Sequence, residues 1–520
     1  MKKTLSYEVE GRTVEREVNY IPVRFILAIV LAVLETAAVI AAVMVCSYYI
    51  PYFYLLVWAT EIAVVIKIIA SDDNPDYKIP WLMVVLLIPV AGFMMYFLFY
   101  DRKLHKRYVK RLNAMKSRGH KPDDLGRFAA LAKESLEAHN QAKMLCNISE
   151  SHLYSDTKQE YFSLGEDMFR RLLEDLRRAE KFIFMEYFII EEGHFWNSIL
   201  DILKEKAAAG VEVKVVYDDI GCMMTLPGDY YKTLRSFGIE ATPFSALKGN
   251  ADSEFNNRSH RKITVIDGKV GYTGGVNIAD EYINEVVKFG HWKDVGLRLE
   301  GDAVKELTNL FLIDYGINVR KLPEAKHDYF PADTLSEPGF LVPFGDGPAP
   351  LYDRRVGKSL IQTMLNQAEW YVYIMSPYLI VDNEMCQTIE NAALRGVTVK
   401  LILPHVPDKK IILEMARSNY RRLIDAGVEI YEYEPGFVHA KVYLADDEYA
   451  MVGTINLDYR SLVHHFENGV WMYRCECLKD IKADFADTLE KCIRIDRNGI
   501  NWSLPRRFIR AVLKVFTPLL

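Results

Sequence analysis

Three long apolar runs follow one another in the first hundred residues of the chain. They cover Phe25–Ser47, Ile50–Ala70 and Pro80–Tyr100. Each has the ~20 residues that a helix needs to cross a hydrocarbon core of ~30 Å. Aromatic residues crowd the ends of the runs, as in the interfacial belts of membrane proteins. The pattern predicts a tail over residues 1–24 and a membrane region of two to three helices over residues 25–100.

Basic residues lie on both sides of this region. The cluster after the third run contains Arg102, Lys103, Lys106, Arg107, Lys110 and Arg111, and the tail contains Lys2, Lys3, Arg12, Arg16 and Arg24. Positive loops stay in the cytoplasm, yet three full spans cannot place both ends there. Either the rule fails at the amino terminus, or the first two runs do not both cross. The denser cluster predicts a multi-pass plasma-membrane protein whose main portion is cytoplasmic and follows a basic linker over residues 101–135.

Two later stretches look like copies of one unit. The first contains KFIFMEYFII, ILDILKEKAAAG and VEVKVVYDD, and the second contains WYVYIMSPYLIV, CQTIENAALRG and VTVKLILP. Each copy is a β-rich run, an amphipathic helix that ends at a glycine, and a second buried strand. This alternation predicts an α/β fold with a largely parallel or mixed sheet covered by helices.

A short motif closes each copy. The first consists of His260, Lys262, Asp267, Gly274, Gly275 and Asn277, and the second of His439, Lys441, Asp446, Gly453, Thr454 and Asn456. Both follow the pattern HxKx4Dx6G with an asparagine three residues after the glycine. One match would be modest evidence, but two matches at corresponding places of a repeated unit indicate a duplicated site.

The histidine and lysine of each motif suit phosphoryl transfer. Two residues separated by one position point to the same face of a strand, so His260 and Lys262 can reach one phosphate, as can His439 and Lys441. One imidazole would attack phosphorus and form a covalent phospho-histidine, while the other exchanges a proton with the departing and incoming alcohols. The lysines supply the positive charge. The chemistry therefore predicts no metal and no cofactor.

Other residues near the motifs are candidates for supporting roles. The candidates are Gly274, Gly275, Asn277, Asn456, Asp294 and Glu467. The glycines would let the backbone approach the ligand, and the asparagines would donate amide hydrogens to it. The two acids follow their motifs at similar distances and could fix the tautomer of each histidine. Asp267 and Asp446 stand before turns, where a capping role is at least as consistent as a catalytic one.

Composition narrows the function classes. A formal net charge of −6 argues against a general nucleic-acid binder, because such domains are usually basic. The seven cysteines include no CxxC pair, which indicates free thiols in a reducing compartment. Cys475 and Cys477 have a spacing that one face of a strand explains, so no zinc site is predicted.

The motifs resemble those of the phospholipase D superfamily, and further segments resemble bacterial cardiolipin synthases. These segments are NPDYKIPWLMVVLLIPVAGFMMYFLF, EYFII, GGVNIADEY and SPYLI. The resemblance covers nearly the whole chain and implies N-terminal transmembrane helices followed by a bilobal fold. Its two pseudo-twofold-related mixed β-sheets, flanked by helices, would occupy residues 136–330, with the motif at 260–275, and residues 331–500, with the motif at 439–454.

The resemblance also implies a reaction. Two phosphatidylglycerols would be joined into cardiolipin with release of glycerol, with His260 as the nucleophile and His439 as the acid and base. Phosphatidylglycerol and cardiolipin are then the partners, in the membrane, and no nucleic acid is expected. The third apolar run is a departure, since many members have two, and so is Gly275, where many have serine.

Several alternatives remain open. The same scaffold could hydrolyse lipids or use another alcohol acceptor; a nucleic-acid phosphodiesterase and a non-catalytic scaffold are disfavoured by the apolar runs and by the two intact motifs. The segment 501–520 alternates basic and apolar residues at helical spacing. It suits either an anionic membrane surface or packing against the protein's own core.

Overall fold

Among the described residues, the N-terminal part contains a hairpin and three helices with defined bounds. The computed structural model describes residues 2–9, 12–19, 30, 33–34, 37–38, 41–42, 44–46, 48, 52–100, 106–246, 257–319, 322–323, 326–331, 335–349, 351–497 and 503–516. The first elements are β1 (Lys2–Val9), β2 (Arg12–Asn19), α1 (Phe53–Ala70), α2 (Pro75–Leu87) and α3 (Pro89–Phe99). Buried side chains of the three helices, including Trp81 and Tyr96, form a small apolar cluster of their own.

The predicted transmembrane helices are not confirmed. Among the described residues, no helix is both long and apolar enough to cross a membrane, and the run at 25–47 lies largely outside them. The run at 80–100 is divided between two helices at Ile88, which has φ −128° and ψ 74°. The break has a local cause, because Pro89 has no N–H and restricts the residue before it.

The predicted basic linker is largely helical. It contains α4 (Lys106–Lys116) and α5 (Leu125–Glu134), and α6 (Leu136–Ser149) follows. Arg111 Nη2 donates to the carbonyl of Gly316 at 3.0 Å, so α4 is attached to the first lobe. The amide of Gln141 on α6 bonds to Gln367 at 2.6 Å, which places this helix against the second lobe rather than the first.

The first lobe is a mixed sheet of seven strands with helices packed on it. Its elements are β3 (Thr157–Phe162), α7 (Gly165–Arg177), β4 (Phe182–Tyr187), α8 (His194–Ala208), β5 (Glu212–Asp218), α9 (Tyr230–Ser236), β6 (Glu240–Phe244), β7 (Ile263–Ile266), β8 (Val270–Gly274), β9 (His291–Lys293), β10 (Gly296–Gly301) and α10 (Val304–Asn318). The strand order is β3-β10-β8-β7-β4-β5-β6. Strands β4, β5 and β6 are parallel, and the other pairs are antiparallel.

The second lobe repeats this design. Its elements are β11 (Phe340–Asp346), α11 (Val356–Gln367), β12 (Tyr371–Met375), β13 (Leu379–Ile380), α12 (Asn383–Leu394), β14 (Thr398–Pro404), α13 (Lys410–Asp425), β15 (Glu429–Tyr433), β16 (Gly436–Val438), β17 (Val442–Ala445), β18 (Tyr449–Gly453), β19 (Leu457–Asp458), β20 (Glu467–Tyr473), α14 (Leu478–Leu489), β21 (Cys492–Arg494) and α15 (Leu504–Phe516). The order is β11-β20-β18-β17-β12-β14-β15-β21. The first seven strands match the first sheet one for one in order and direction.

The two lobes share one hydrophobic core. Buried residues of the first lobe, such as Val265 and Leu310, belong to the same cluster as Phe344 and Val442 of the second. A continuous core holds the sheets in a fixed relation, since a closely packed interior resists sliding. The predicted bilobal α/β fold with two mixed sheets is confirmed.

Candidate active site

The two motifs meet where the lobes face each other. The backbone N–H of His260 donates to the carbonyl of Phe466 at 2.8 Å, and that of His439 donates to the carbonyl of Lys293 at 2.7 Å. Each histidine is thus held by the residue that immediately precedes a carboxylate of the other lobe. Strands β9 and β16 continue this contact as a parallel pair.

Each imidazole bonds to that carboxylate. His260 Nδ1 lies 2.9 Å from Glu467 Oε2, and His439 Nδ1 lies 2.6 Å from Asp294 Oδ2. Both acids are fully buried. The pairing is reciprocal, because each lobe supplies one histidine and the acid for the other. With Nδ1 engaged, Nε2 is the nitrogen that each ring leaves for chemistry.

Burial sets the protonation of these groups. It lowers the pKa of His260 to about 3, although Glu467 opposes the shift, and it lowers the pKa of His439 to about 4. Burial also acts to raise the pKa of Glu467, but the neighbouring His260 holds it well below its usual range. The free site therefore contains neutral imidazoles beside an ionised carboxylate, which is the state a nucleophilic nitrogen needs.

The two motif lysines lie buried in the same site. Burial, together with the charge of Lys441, lowers the pKa of Lys262 to about 7, and burial lowers the pKa of Lys441 to about 8. An anion bound between the two ammonium groups would offset the repulsion between them. The pair is therefore suited to hold a phosphodiester.

Lys441 also contacts His439 directly. Its Nζ lies 2.8 Å from His439 Nδ1, and Lys262 Nζ donates to the carbonyl of His260 at 2.7 Å. One ring nitrogen cannot donate to Asp294 and accept from a lysine at the same time. We assign the proton to the shorter bond with Asp294.

The glycines make room for protein atoms. A Cβ on Gly275 would overlap Asp294 Oδ1, and one on Gly274 would overlap the carbonyl oxygen of Val295. In the second motif, Thr454 takes the position of Gly275 and its hydroxyl donates to Glu467. Gly275 thus leaves space for the carboxylate of Asp294, and Thr454 forms a hydrogen bond to the carboxylate of Glu467.

The asparagines differ from each other. Asn277 accepts from the N–H of Ile189 at 3.1 Å and donates to the hydroxyl of Tyr282 at 2.7 Å, so its amide is engaged within the first lobe. Asn456 is buried, and its Oδ1 has no hydrogen-bond partner among the described residues. A phosphate-binding role stays a prediction for both.

Asp267 and Asp446 lie away from the histidines, at the opposite ends of their strands. Asp267 accepts from the backbone N–H groups of Glu180, Lys181 and Phe182 at 2.7–2.8 Å. Asp446 accepts from the three corresponding groups at residues 369–371 at 2.8–2.9 Å. Both have a positive φ, as expected of turn residues. The geometry supports the capping alternative for these acids.

Known proteins share this architecture. The protein-family model described as "Cardiolipin synthase, PLD-like domain" matches residues 172–288 and 361–489 of the sequence. A second family model, for the phospholipase D-nuclease N-terminal region, matches residues 62–99. A cardiolipin synthase of Halalkalibacterium halodurans is 30% identical over 474 residues, which are 90% of this chain and 94% of that protein. An uncharacterized protein of Streptococcus mutans is 42% identical over 461 residues, 88% of this chain and 99% of that one.

The chain belongs to the cardiolipin synthase family. The expectation of a phosphatidyltransferase of this family is thereby confirmed. A crystal structure of phosphatidylserine synthase from Haemophilus influenzae superimposes with a TM-score of 0.56 at 16% identity, over 73% of this chain and 97% of that one. At this identity the likeness extends to the fold alone.

Sequence reasoning missed the residue between the first histidine and lysine. Arg261 is fully buried; its guanidinium bonds to Asp314 at 2.9 Å and to the carbonyl of Glu467 at 3.0 Å. It ties the first motif to the strand that bears the opposite carboxylate. Its position in the sequence was the available signal. If His260 and Lys262 share one face of the predicted strand, the arginine between them points to the other face, and a buried arginine needs an acid there.

One group of described residues could hold a metal ion. The potential ligand atoms of His260, His465 and Glu467 lie within 4.8 Å of one another. The lysine of the first motif acts electrostatically on this histidine, and a second cation would be repelled. We therefore assign His260 and Glu467 to the hydrogen bond that joins them rather than to metal binding.

Proposed function

We propose that this chain is a cardiolipin synthase that transfers a phosphatidyl group from one phosphatidylglycerol to a second and releases glycerol. The observation that carries the proposal is the reciprocal pairing of His260 with Glu467 and of His439 with Asp294. It yields two imidazoles with free Nε2 atoms in one buried site. Two such groups are what a double displacement at phosphorus requires.

In the first step, His260 Nε2 attacks phosphorus and the bond between phosphorus and the glycerol oxygen breaks. His439, which takes up a proton on Nε2 when the phosphodiester binds, gives that proton to the leaving oxygen, and the products are glycerol and a phosphatidyl-histidine. In the second step, neutral His439 removes the proton from a hydroxyl of the second phosphatidylglycerol. That oxygen attacks phosphorus, the P–N bond breaks, and cardiolipin leaves with His260 restored.

Charge favours this sequence of protonation states. His439 is neutral in the free site because burial lowers its pKa. A bound phosphodiester adds a negative charge nearby, which raises the pKa of the imidazole toward the value that an acid needs. The ammonium groups of Lys262 and Lys441 stabilise the charge that builds on the phosphoryl oxygens in each transition state.

The N-terminal helices place apolar surface close to the site. Asn74 Nδ2 donates to Asp382 at 2.9 Å. The ring of Tyr77 lies 5.8 Å from that of His464, which is three residues before Glu467 in the sequence. Side chains of α1 that point outward, such as Trp58 and Ile66, are exposed. We infer that this surface contacts the membrane from which the lipid substrates enter.

Helix α15 supports the same orientation. Arg510 is buried and bonds to Glu414 at 2.8 Å, whereas Phe508 and Ile509 are exposed. The basic side therefore packs against the protein while apolar side chains face outward, which suits insertion into a lipid interface. Both interpretations of the C-terminal segment, core packing and membrane contact, are thus combined in one helix.

The proposal is tested by product analysis with the full chain in phosphatidylglycerol vesicles. We expect equal amounts of cardiolipin and glycerol, and neither product from His260→Ala or His439→Ala. His405→Ala is a matched control, because His405 also pairs with a buried glutamate at 2.9 Å outside the site and should remain active. Phosphatidic acid in place of cardiolipin would make the enzyme a hydrolase, and turnover in either active-site variant would refute the mechanism.

Membrane contact is tested separately with Phe508→Asp. Removing one exposed aromatic anchor should weaken vesicle binding about 10-fold, as expected for the loss of ~1.5 kcal/mol of apolar burial. Leu125→Asp is the control, since Leu125 and Phe508 are both 71% exposed but Leu125 lies on α5, outside the proposed surface. Equal losses in both variants would contradict the assignment of α15.

A further inference from the structure

The two half-sites differ at one matched position. Two residues before each carboxylate stands an aromatic ring, Trp292 before Asp294 and His465 before Glu467. The centroid of Trp292 lies 5.6 Å from that of His439 at an interplanar angle of 46°, and that of His465 lies 5.6 Å from that of His260 at 42°. The two rings thus occupy positions related by the pseudo-twofold, but the ring beside His439 is an indole and the ring beside His260 is an imidazole.

The surroundings of the two catalytic rings differ accordingly. His439 contacts the aromatic rings of Tyr282, Trp292 and Phe437 at 5.3–5.9 Å. His260 contacts Phe188 at 5.2 Å and otherwise the imidazole of His465. The matched rings differ in what they can bond: the indole of Trp292 can only donate, through a buried Nε1, whereas the imidazole of His465 can donate through one nitrogen and accept through the other.

His465 opens onto the active site. Its side chain is 10% exposed, close to the 10% of His439 and the 8% of His260, whereas the carboxylates of Glu467 and Asp294 are 0% exposed. The three imidazoles therefore border the same opening, and the acids lie behind them.

Nδ1 of His465 has no hydrogen-bond partner among the described residues. This atom is buried and lies 3.6 Å from Glu467 Oε1, beyond normal hydrogen-bond length. A buried polar atom without a partner costs free energy, and native proteins keep few of them. Because Nδ1 is buried beside Glu467, an oxygen atom of a ligand can bond to this partly exposed ring through the other nitrogen, Nε2.

We propose that His465 is a substrate-binding residue whose imidazole forms a hydrogen bond to an oxygen atom of the phosphatidylglycerol headgroup at the His260 half-site. The oxygen is either a non-bridging phosphoryl oxygen or a hydroxyl of the glycerol. The lysines of the two motifs are related by the pseudo-twofold and suit the symmetric part of the phosphodiester. A group present in one half only suits the part of the substrate that breaks this symmetry. The inference rests on the proposed function.

The test compares His465→Leu with His465→Asn in phosphatidylglycerol vesicles. Leucine removes the hydrogen bond, and we expect kcat/KM to fall about 10- to 100-fold. Asparagine retains a donor and an acceptor near the same place, so its kcat/KM should stay within about threefold of the original. His464→Leu is the control, because the neighbouring imidazole packs on Tyr77 and should tolerate the change. Thermal unfolding of each variant verifies that the fold is intact.

A second donor identifies the oxygen. Headgroup release is measured for phosphatidylglycerol and for phosphatidylpropanol, whose headgroup has no free hydroxyl. If His465→Leu is slow only with phosphatidylglycerol, the contact is to a glycerol hydroxyl; if it is equally slow with both, the contact is to a phosphoryl oxygen. Folded His465→Leu protein within twofold of the original, or His465→Asn as slow as His465→Leu, would overturn the inference. An unaltered chain that makes no cardiolipin would instead refute the proposed function.

Discussion

A glutamine at position 467 would change one charge in the site and almost no volume. Glu467 accepts from His260 Nδ1 at 2.9 and 3.0 Å and from the hydroxyl of Thr454. In Glu467→Gln the amide can present either its oxygen or its NH2 group to the ring. The oxygen keeps a neutral hydrogen bond, whereas the NH2 group requires the ring proton to move to Nε2, the atom that must stay free to attack.

The expected loss follows from these two effects. A hydrogen bond to a charged group contributes ~1.5–3 kcal/mol, which corresponds to about 10- to 150-fold in rate at 1.36 kcal/mol per tenfold. The unfavourable tautomer adds to this, because it blocks His260 Nε2 in part of the molecules. We therefore expect kcat for cardiolipin formation to fall by about 100-fold or more, with a small change in KM.

The assay is the initial rate of cardiolipin formation in phosphatidylglycerol vesicles over a range of lipid fractions. Glu432→Gln is a matched control, because Glu432 is a fully buried glutamate of the same lobe that accepts from a histidine Nδ1 at 2.9 Å, outside the site. It should lower the unfolding temperature and leave kcat nearly unchanged. If Glu467→Gln keeps kcat within threefold, or if both variants lose it equally, the carboxylate does not act through His260.

Three further changes test other parts of the site. In Gly275→Ala the new methyl group must displace the carboxylate of Asp294, because the two would overlap, and we expect the cardiolipin-forming rate to fall at least about 10-fold; a normal rate would contradict this. In Lys441→Met the pKa of Lys262, which burial and Lys441 lower to about 7, should rise. Because a lysine must be protonated to bind phosphate, the alkaline fall of residual kcat/KM should move to higher pH in a pH–rate profile, and an unmoved profile would show that the lysines are not coupled. Asp267→Asn should lower the free energy of unfolding in urea by ~1–2 kcal/mol, because it weakens three hydrogen bonds from backbone N–H groups to a charged acceptor, while kcat stays within threefold. A large loss of kcat in folded protein would restore the catalytic assignment.

The features of the fold that could be predicted from the sequence are those that depend on the spacing of apolar and polar residues within single strands and helices. Strand and helix periodicity within each copy of the repeat indicated an α/β unit, and the two sheets have the same strand order. The His-x-Lys spacing predicted that His260 and Lys262 serve one site, and both are buried, although they directly precede β7 rather than lie within it. Such features depend on neighbours within a few residues, for which side-chain alternation is a sufficient guide.

The pairing of acids with histidines could not be obtained in this way. Proximity in the sequence favours Asp294 as the partner of His260, but the structure joins His260 to Glu467 across 207 positions. The choice is made by the packing of one lobe on the other, which a local pattern does not contain. The apolar runs posed a different difficulty. Hydropathy gives the length of an apolar run, but it does not show that Pro89 ends one helix and begins another within the run at 80–100.

The exchange of carboxylates explains why a duplicated fold behaves as one enzyme. A lobe that supplied its own histidine and acid could keep a complete half-site by itself, and duplication would then yield two independent sites. Here His260 without the second lobe loses both Glu467 and the backbone carbonyl of Phe466. Because each half depends on the other, the two histidines are held in one site, as the proposed double displacement at a single phosphorus requires. In the proposed two-step reaction the two histidines act differently, and the surroundings of their rings differ as well: His465 stands beside His260 where an indole stands beside His439, and Thr454 stands where the first motif has Gly275.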